Sequence, residues 1–244
     1  MRAVDAVERV RQHYDQYPYP YYPWYARARW HQLESVDFKS WKISRGVRDA
    51  WIAGCGSISP LMFGRRNPSV RIVASDLSEK SLKILAWRQL LYGIHNVLRR
   101  QENLLESDYH EAFDAIDCFG VLHHLPDPSQ GLRILAKALR PQGVLRLMLY
   151  DREKRKDLEK WRQELIEKSI SDLAEVDRFL KERGIERTGD LSSQVGMADA
   201  LLHPLVWTYD RAELDRLLKS VPELRVRDIR DQSNFVIFCE KLGS

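Results

Sequence analysis

The sequence predicts an α/β fold built on a doubly wound, mostly parallel sheet. Between residues 48 and 150, short apolar runs typical of buried strands alternate with segments of helical period. The connections are short, and this alternation favours a parallel sheet with helices on both faces. Near the end of the chain, two apolar runs flank a polar turn at residues 231–234, which indicates a terminal β-hairpin.

Each predicted element has its own local signal. The core strands are predicted at residues 50–53, 70–75, 96–100, 113–119 and 144–150, and the hairpin strands at 224–229 and 235–239. Helices are predicted at residues 4–13, 78–92, 129–139 and 211–218. Ser78 is the expected N-cap of the second helix and Gly93 its end, while Thr208 is the expected cap of the last helix.

This pattern divides the chain into four segments. They are a helix and an aromatic, proline-rich extension (1–47), the α/β core (48–150), a helical insertion (151–207), and a helix and hairpin that complete the core (208–244). Pro18, Pro20 and Pro23 keep the extension between residues 14 and 25 extended or turn-like. We expect its aromatic rings to lie against the globular body, either as a lid or as the cover of a sheet edge.

Composition argues against several classes of protein. The formal charge is +4, from 39 Lys plus Arg and 35 Asp plus Glu, so nucleic acid is not an expected partner. No stretch reaches the roughly 18 apolar residues that a membrane span needs, and the charged residues 1–11 do not resemble a signal peptide. Cys55, Cys118 and Cys239 form no disulfide or zinc spacing, so a cytoplasmic location is expected.

Two features at neighbouring strand ends point to a ligand site, since open parallel sheets bind ligands at the carboxyl ends of their strands. The first is the turn with Gly54, Cys55 and Gly56, where glycine allows a tight turn and close approach of a ligand. The second is Asp76, about twenty residues later, which is suited to hold both hydroxyls of a ribose. The turn is equally consistent with a structural role, and Asp76 with capping of the next helix.

A third feature follows the fourth predicted strand. Its loop brings His123 and His124 beside the same edge of the sheet. His124 is either a functional side chain or a packed, hydrogen-bonded loop residue. A metal is not expected here, because adjacent histidines point apart on an extended chain and no further ligand has useful spacing.

Taken together, the segments 52–57, 73–78, 113–128 and 135–143 resemble the class I S-adenosylmethionine-dependent methyltransferases in order and spacing. More narrowly, residues 17–20 and the segment 201–204 before Tyr209 are similar to bacterial methyltransferases often fused to tetratricopeptide repeats. The resemblance implies a seven-stranded Rossmann-like sheet whose last strand is antiparallel. It also implies S-adenosylmethionine as the cofactor.

The same resemblance implies roles for individual positions. The glycine turn would pass under the methionine part of the cofactor, Asp76 would hold the ribose and Leu77 would pack on adenine. The expected cofactor-binding residues are Gly54, Cys55, Gly56, Asp76, Leu77, Asn103, Leu104, Phe119, Gly120 and His123. Two positions depart from the family pattern: Ile52 replaces an acid that many members carry for the cofactor's amino group, and Ile58 replaces a small residue in the turn.

The implied reaction is an in-line displacement at the sulfonium methyl, which depends mainly on alignment in a dry pocket. A small molecule is the favoured methyl acceptor, and His124 is the candidate general base where the acceptor arrives protonated. The helical insertion is expected to shape the acceptor pocket, to form a homodimer contact, or both. Trp207 and Tyr209 at its exit are as suited to the core as to the site.

Three other functions stay open at this point. The departures at Ile52 and Ile58 are compatible with a methyltransferase-like scaffold without catalysis. An RNA methyltransferase would carry a basic patch at the mouth of the site. A nicotinamide-dependent dehydrogenase is disfavoured because no GxGxxG run is present, since Ser57 and Ile58 follow Gly56.

Overall fold

The computed structural model describes residues 3–20, 34–44, 46–231 and 233–243. Its strands form one seven-stranded sheet in the order β3-β2-β1-β4-β5-β7-β6. The strands are β1 (Asp49–Ala53), β2 (Arg71–Asp76), β3 (Val97–Gln101), β4 (Phe113–Phe119), β5 (Leu139–Leu149), β6 (Leu224–Asp231) and β7 (Phe235–Lys241). Strands β1 to β5 pair in parallel, and β7 lies antiparallel between β5 and β6. The predicted fold class and the antiparallel last strand are confirmed.

Helices and short helical turns connect the strands. The helices are α1 (Ala3–Gln16), α2 (Ser59–Arg66), α3 (Glu79–Tyr92), α4 (Pro128–Ala138), α5 (Lys156–Glu167), α6 (Leu173–Glu182), α7 (Gln194–Met197) and α8 (Arg211–Lys219), with a π-helical turn at Ala198–Leu202. Among the described residues, none of these helices combines the length and the apolar character needed to cross a membrane.

The sheet separates two apolar cores, because successive side chains on a strand point to opposite faces. On β1, Trp51 belongs to the core beneath α4 and α8, and Ile52 belongs to the core beneath α2 and α3. A third apolar cluster, which includes Leu165, Val176 and Leu201, joins the helices between β5 and α8. The strand order reverses between β1 and β4, so a crevice opens at the carboxyl ends of these two strands.

The local signals on α3 are confirmed in detail. The Ser78 hydroxyl accepts from the Ser81 amide at 3.0 Å, and Gly93 ends the helix in the left-handed conformation at φ 62°. Helix α2, in contrast, has no counterpart in the sequence prediction. Its N-cap is Ile58, whose side chain offers no capping oxygen, so the helix depends on its buried residues instead.

The cap of α8 also differs from the prediction, which assigned it to Thr208. Asp210 is the N-cap, and its carboxylate accepts from the Glu213 amide at 2.8 Å. The Glu213 carboxylate accepts from the Asp210 amide at 3.0 Å in return, which completes a capping box. The side chains of Asp210 and Glu213 therefore each accept a hydrogen bond from the other residue's backbone amide at the start of the helix.

We expect Asp210→Ala to lower the free energy of unfolding by about 1 kcal/mol, because an N-cap aspartate satisfies amides that alanine leaves unpaired. Asp210→Asn keeps a capping oxygen and should cost much less. Thr208→Ala is the matched control, and urea denaturation measures all three. A larger loss for Thr208→Ala than for Asp210→Ala would contradict the assigned cap.

Candidate active site

A cavity of about 590 Å³ opens at the carboxyl ends of β1, β2 and β4. Its walls include the glycine turn after β1, the end of β2, the loop after β4, and residues of α1 and of the π-helical turn. Small-molecule sites usually have volumes of about 300–1,000 Å³ and sit where a sheet reverses its strand order. The position and size of the cavity therefore match a small-molecule or cofactor site.

The turn after β1 needs glycine at two positions. Gly54 has φ 65°, and a Cβ atom there would lie 2.3 Å from Cγ2 of Val121. Gly56 has φ 57°, and a Cβ atom there would lie 2.8 Å from the Tyr19 carbonyl oxygen. Positive φ and close neighbours both exclude side chains. The turn is thus packed from the loop after β4 and from the N-terminal segment.

Asp76 joins this turn to the end of β2. Its Oδ2 accepts from the Gly56 amide at 2.7 Å, and its Oδ1 accepts from the Ser78 amide at 2.9 Å. Burial raises the pKa of Asp76, and the two amide hydrogen bonds oppose that shift. Because Ser78 caps α3, Asp76 has no capping role and presents its carboxylate to the cavity.

Most of the expected site residues line this cavity. They are Gly54, Cys55, Gly56, Asp76, Leu77, Leu104, Phe119, Gly120 and His124. Cys55 is buried, and burial raises the pKa of its thiol well above the ordinary value, so it lines the site as an apolar group. Phe119 is half exposed, and the Arg146 guanidinium lies 4.8 Å from the centroid of its ring.

Asn103 and His123 do not line the cavity, contrary to the expectation for them. The Asn103 side chain accepts from the Leu105 amide at 3.1 Å and donates to Glu106 at 2.9 Å, so both of its polar atoms are used locally. The preceding residue, Glu102, lines the cavity instead. His123 is fully buried with its ring against Tyr150, and the two ring centroids are 3.8 Å apart.

His124 lines the cavity as an uncharged ring. Its Nδ1 is 2.8 Å from the Leu205 carbonyl oxygen, and a carbonyl only accepts, so Nδ1 carries the proton and Nε2 keeps a lone pair. Burial lowers the pKa of His124 to about 3, and the positive charges of Arg162 and Arg155 add to this effect. Both readings of His124 are therefore compatible with the structure, since it is packed and also faces the cavity.

The N-terminal segment forms one wall of the cavity through Val10, Tyr14, Tyr19 and Pro20. Asp15 accepts from the Ser78 hydroxyl at 2.8 Å, and the Ser57 hydroxyl donates to the Pro20 carbonyl at 3.2 Å. The rest of the aromatic extension, from residue 21 to 25, lies outside the described residues. The described part of the extension therefore contacts the site directly.

Sequence reasoning missed several polar residues that line the cavity, among them Tyr150, Asp199 and Arg146. Tyr150 follows β5, Asp199 lies on the π-helical turn, and Arg146 lies within β5, where it donates to Asp117 at 2.6 Å. Tyr150 stands at the carboxyl end of a predicted strand, which is a signal that could have identified it. Asp199 and Arg146 reach the cavity only through the tertiary fold.

Comparisons with known proteins find relatives for part of the chain. Residues 52–145 match a protein family described as a methyltransferase domain. An uncharacterized protein of Synechococcus sp. is 33% identical over 147 residues, which cover 56% of this chain and 35% of that protein. The ubiquinone biosynthesis O-methyltransferase of Paracidovorax citrulli is 27% identical over 133 residues, which cover 47% of this chain and 54% of the enzyme. The chain thus spans about a third to a half of the length of these relatives.

The crystal structure of a SAM-dependent methyltransferase from Aquifex aeolicus has a similar fold. The TM-score is 0.56 at 13% identity, and the match covers 84% of this chain and 87% of that chain. Likeness at this identity shows the fold alone. The sheet order and this likeness show a Rossmann-like fold, and the family match places a methyltransferase domain within it at residues 52–145.

We expect Gly56→Ala to destabilise the protein and to loosen the N-terminal segment. A left-handed conformation costs a side-chain-bearing residue about 1–2 kcal/mol, and the new Cβ would also press on the Tyr19 carbonyl. Gly46→Ala is the matched control, since Gly46 has φ 72° with no described atom within 4 Å of its Cβ position. Hydrogen exchange of the amides of Tyr14 and Tyr17 should accelerate in Gly56→Ala only, and equal acceleration in both variants would refute the contact.

Proposed function

We propose that this protein is an S-adenosylmethionine-dependent methyltransferase that acts on a small molecule. The observation that carries the proposal is the 2.7 Å hydrogen bond between the Asp76 carboxylate and the Gly56 amide at the edge of the cavity. It brings a buried carboxylate and a turn with two glycines to one point, which suits a ribose beside a methionine chain. The methyltransferase-domain match supports the same assignment.

In this proposal the chain's own residues bind and orient the cofactor. Asp76 accepts from the ribose hydroxyls through lone pairs that its two amide bonds leave available. Leu77 and Leu104 offer apolar faces to adenine, and Glu102 replaces Asn103 as the polar group near the adenine edge. The glycine turn allows the methionine part to approach the backbone.

The reaction needs alignment and exclusion of water more than it needs chemical assistance. The cofactor supplies an activated methyl group on a positively charged sulfur. Tyr14, Tyr19, Phe119 and Tyr150 surround the cavity, and aromatic faces attract a sulfonium by about 0.5–2 kcal/mol per contact. The N-terminal wall keeps the site partly closed, which favours in-line geometry and a small methyl acceptor.

The comparisons favour a small methyl acceptor as well. The similar protein of Paracidovorax citrulli is named for ubiquinone biosynthesis, in which a small molecule is methylated on oxygen. We also propose the narrower kinship with bacterial methyltransferases often fused to tetratricopeptide repeats. The first of its two motifs, residues 17–20, contributes Tyr19 and Pro20 to the cavity. The second motif, residues 201–204, closely follows Asp199, which also lines the cavity.

Asp76→Asn tests the cofactor assignment. We expect at least about a 10-fold loss of S-adenosylmethionine affinity, because hydrogen bonds to a charged group contribute about 1.5–3 kcal/mol each. Isothermal calorimetry measures the affinity, and the exposed Asp108→Asn serves as the control. Absence of binding to the unmodified chain would refute the proposed function.

Glu102→Ala and Asn103→Ala test which residue serves the adenine edge. We expect Glu102→Ala to weaken S-adenosylmethionine binding by about 10-fold, the value of one hydrogen bond to a charged group. Asn103→Ala removes only a cap of the turn Leu104–Glu106 and should leave the affinity nearly unchanged. The reverse order of effects would restore the original assignment of Asn103.

A further inference from the structure

Four polar side chains line one end of the cavity: Tyr14, His124, Tyr150 and Asp199. The Tyr14 hydroxyl donates to Oδ1 of Asp199 at 3.0 Å, and the Tyr150 hydroxyl donates to Oδ2 at 3.4 Å. The four residues come from α1, from the turn after β4, from the end of β5 and from the π-helical turn. We refer to this set of four residues as the Asp199 wall.

Every member of the Asp199 wall offers lone pairs to a ligand. A tyrosine has one hydroxyl proton, and in Tyr14 and Tyr150 that proton is directed at Asp199. His124 uses its only proton on the Leu205 carbonyl, which leaves the lone pair on Nε2. A ligand group that is complementary to this wall therefore has to be a hydrogen-bond donor.

Two positively charged side chains lie next to the wall. The Arg155 guanidinium lies 3.6 Å from the centroid of the Tyr150 ring, and the charge of Arg162 interacts with Asp199. Both arginines are buried. Burial lowers the pKa of His124 to about 3, and the charges of both arginines further disfavour its protonation.

A metal ion is the rival occupant of this region. One ring nitrogen each of His13 and His203 and a carboxylate oxygen of Asp199 lie within 4.8 Å of one another, and no described residue bonds Nε2 of either ring. However, the Leu205 amide donates to Nδ1 of His203 at 3.2 Å, so the proton of the neutral ring is on Nε2. Metal-binding histidines have the opposite arrangement, in which the second nitrogen donates to a carbonyl or a carboxylate.

We propose that the Asp199 wall binds the reacting group of the methyl acceptor as a hydrogen-bond donor, so that the acceptor carries a protonated hydroxyl or amino group and not a carboxylate. This inference rests on the proposed methyltransferase function. Carboxylates and other anionic nucleophiles offer the wall only lone pairs and negative charge, which it repels.

The proposed step is balanced within the site. A lone pair of the acceptor's oxygen or nitrogen forms the bond to the methyl carbon, and the electron pair of the carbon–sulfur bond stays on sulfur. The acceptor's proton passes to Asp199 and from there to water. Asp199 is the suited base because its carboxylate can take up a proton without gaining positive charge, whereas protonation of His124 would place a cation beside Arg155 and Arg162.

Matched probes test the proposal on the full chain bound to S-adenosylhomocysteine. Phenol and benzoate present the same ring with a donor or with a carboxylate, and ligand-observed NMR titration gives their affinities. We expect phenol to bind at least about 10-fold more tightly, since a hydrogen bond to a charged group adds about 1.5–3 kcal/mol. Asp199→Asn exchanges a lone pair for an amide donor and should reverse this preference, while Tyr209→Phe, outside the cavity, should leave it unchanged.

Three outcomes would overturn the proposal: benzoate binding as well as phenol, failure of both probes to bind, or an unchanged preference in Asp199→Asn. His124→Phe is a second variant in case Asp199→Asn does not fold, and it should weaken the binding of phenol but not that of benzoate.

Calorimetry separates binding of the cofactor from binding of the acceptor. A loss of S-adenosylmethionine affinity in Asp199→Asn would assign the wall to the cofactor's ammonium group. If the unmodified chain retained one zinc ion and His203→Gln lost it, the region would be assigned to a metal. Failure of the proposed function would instead appear as no S-adenosylmethionine binding to the unmodified chain.

Discussion

The hydrogen bond from the Gly56 amide to the Asp76 carboxylate is the constraint on which the site depends. It ties the exit of β1 to the end of β2, two strands that are already paired residue by residue up to Ala53 and Ser75. Asp76 is 9% exposed, so water contributes little to the stabilisation of its carboxylate and the two amides supply hydrogen bonds instead. With the turn fixed in this way, Gly54 can pack against Val121 and the cavity has a defined floor.

The walls above this floor come from distant parts of the chain. Tyr14 reaches Asp199 across 185 residues of sequence, and the two meet only because α1 and the π-helical turn both lie over the carboxyl ends of the strands. Such contacts follow from tertiary packing rather than from local pattern. For this reason the sequence predicted the floor of the site but did not identify Asp199 or Arg146.

Where a feature depends on neighbours in the chain, the sequence was a good guide. Strand β4 has the predicted bounds. Ser78 caps the start of α3 through its hydroxyl, and Gly93 ends the helix because a residue without a side chain adopts the left-handed conformation at little cost. The sequence also contains the signal that identifies the true cap of α8 in place of Thr208. Asp210 and Glu213 have the spacing of a capping box, and Thr208 has no such partner.

The position of Asn103 outside the cavity has a related cause. Asparagine is among the best N-cap residues, and here its oxygen accepts from the amide two positions later, so its side chain is directed away from the cavity. Glu102 directly follows β3 and keeps its place at the cavity. Helix α2 was missed for the opposite reason, since its stability comes from buried Leu61 and Phe63 and not from a cap.

The charges around the cavity form a consistent set for the proposed reaction. Before transfer, the positive sulfonium would share a water-poor cavity with the negative Asp199, and opposite charges attract more strongly there than in water. Asp199 would take up the acceptor's proton as the methyl group is transferred, so the positive charge that the cofactor brings and the negative charge of the wall would disappear together. Neither product group then has to be solvated as an ion, and the uncharged His124 preserves this balance because burial and the two arginines disfavour its protonation. The same arrangement would oppose an anionic acceptor, whose charge would add to that of Asp199 instead of being cancelled.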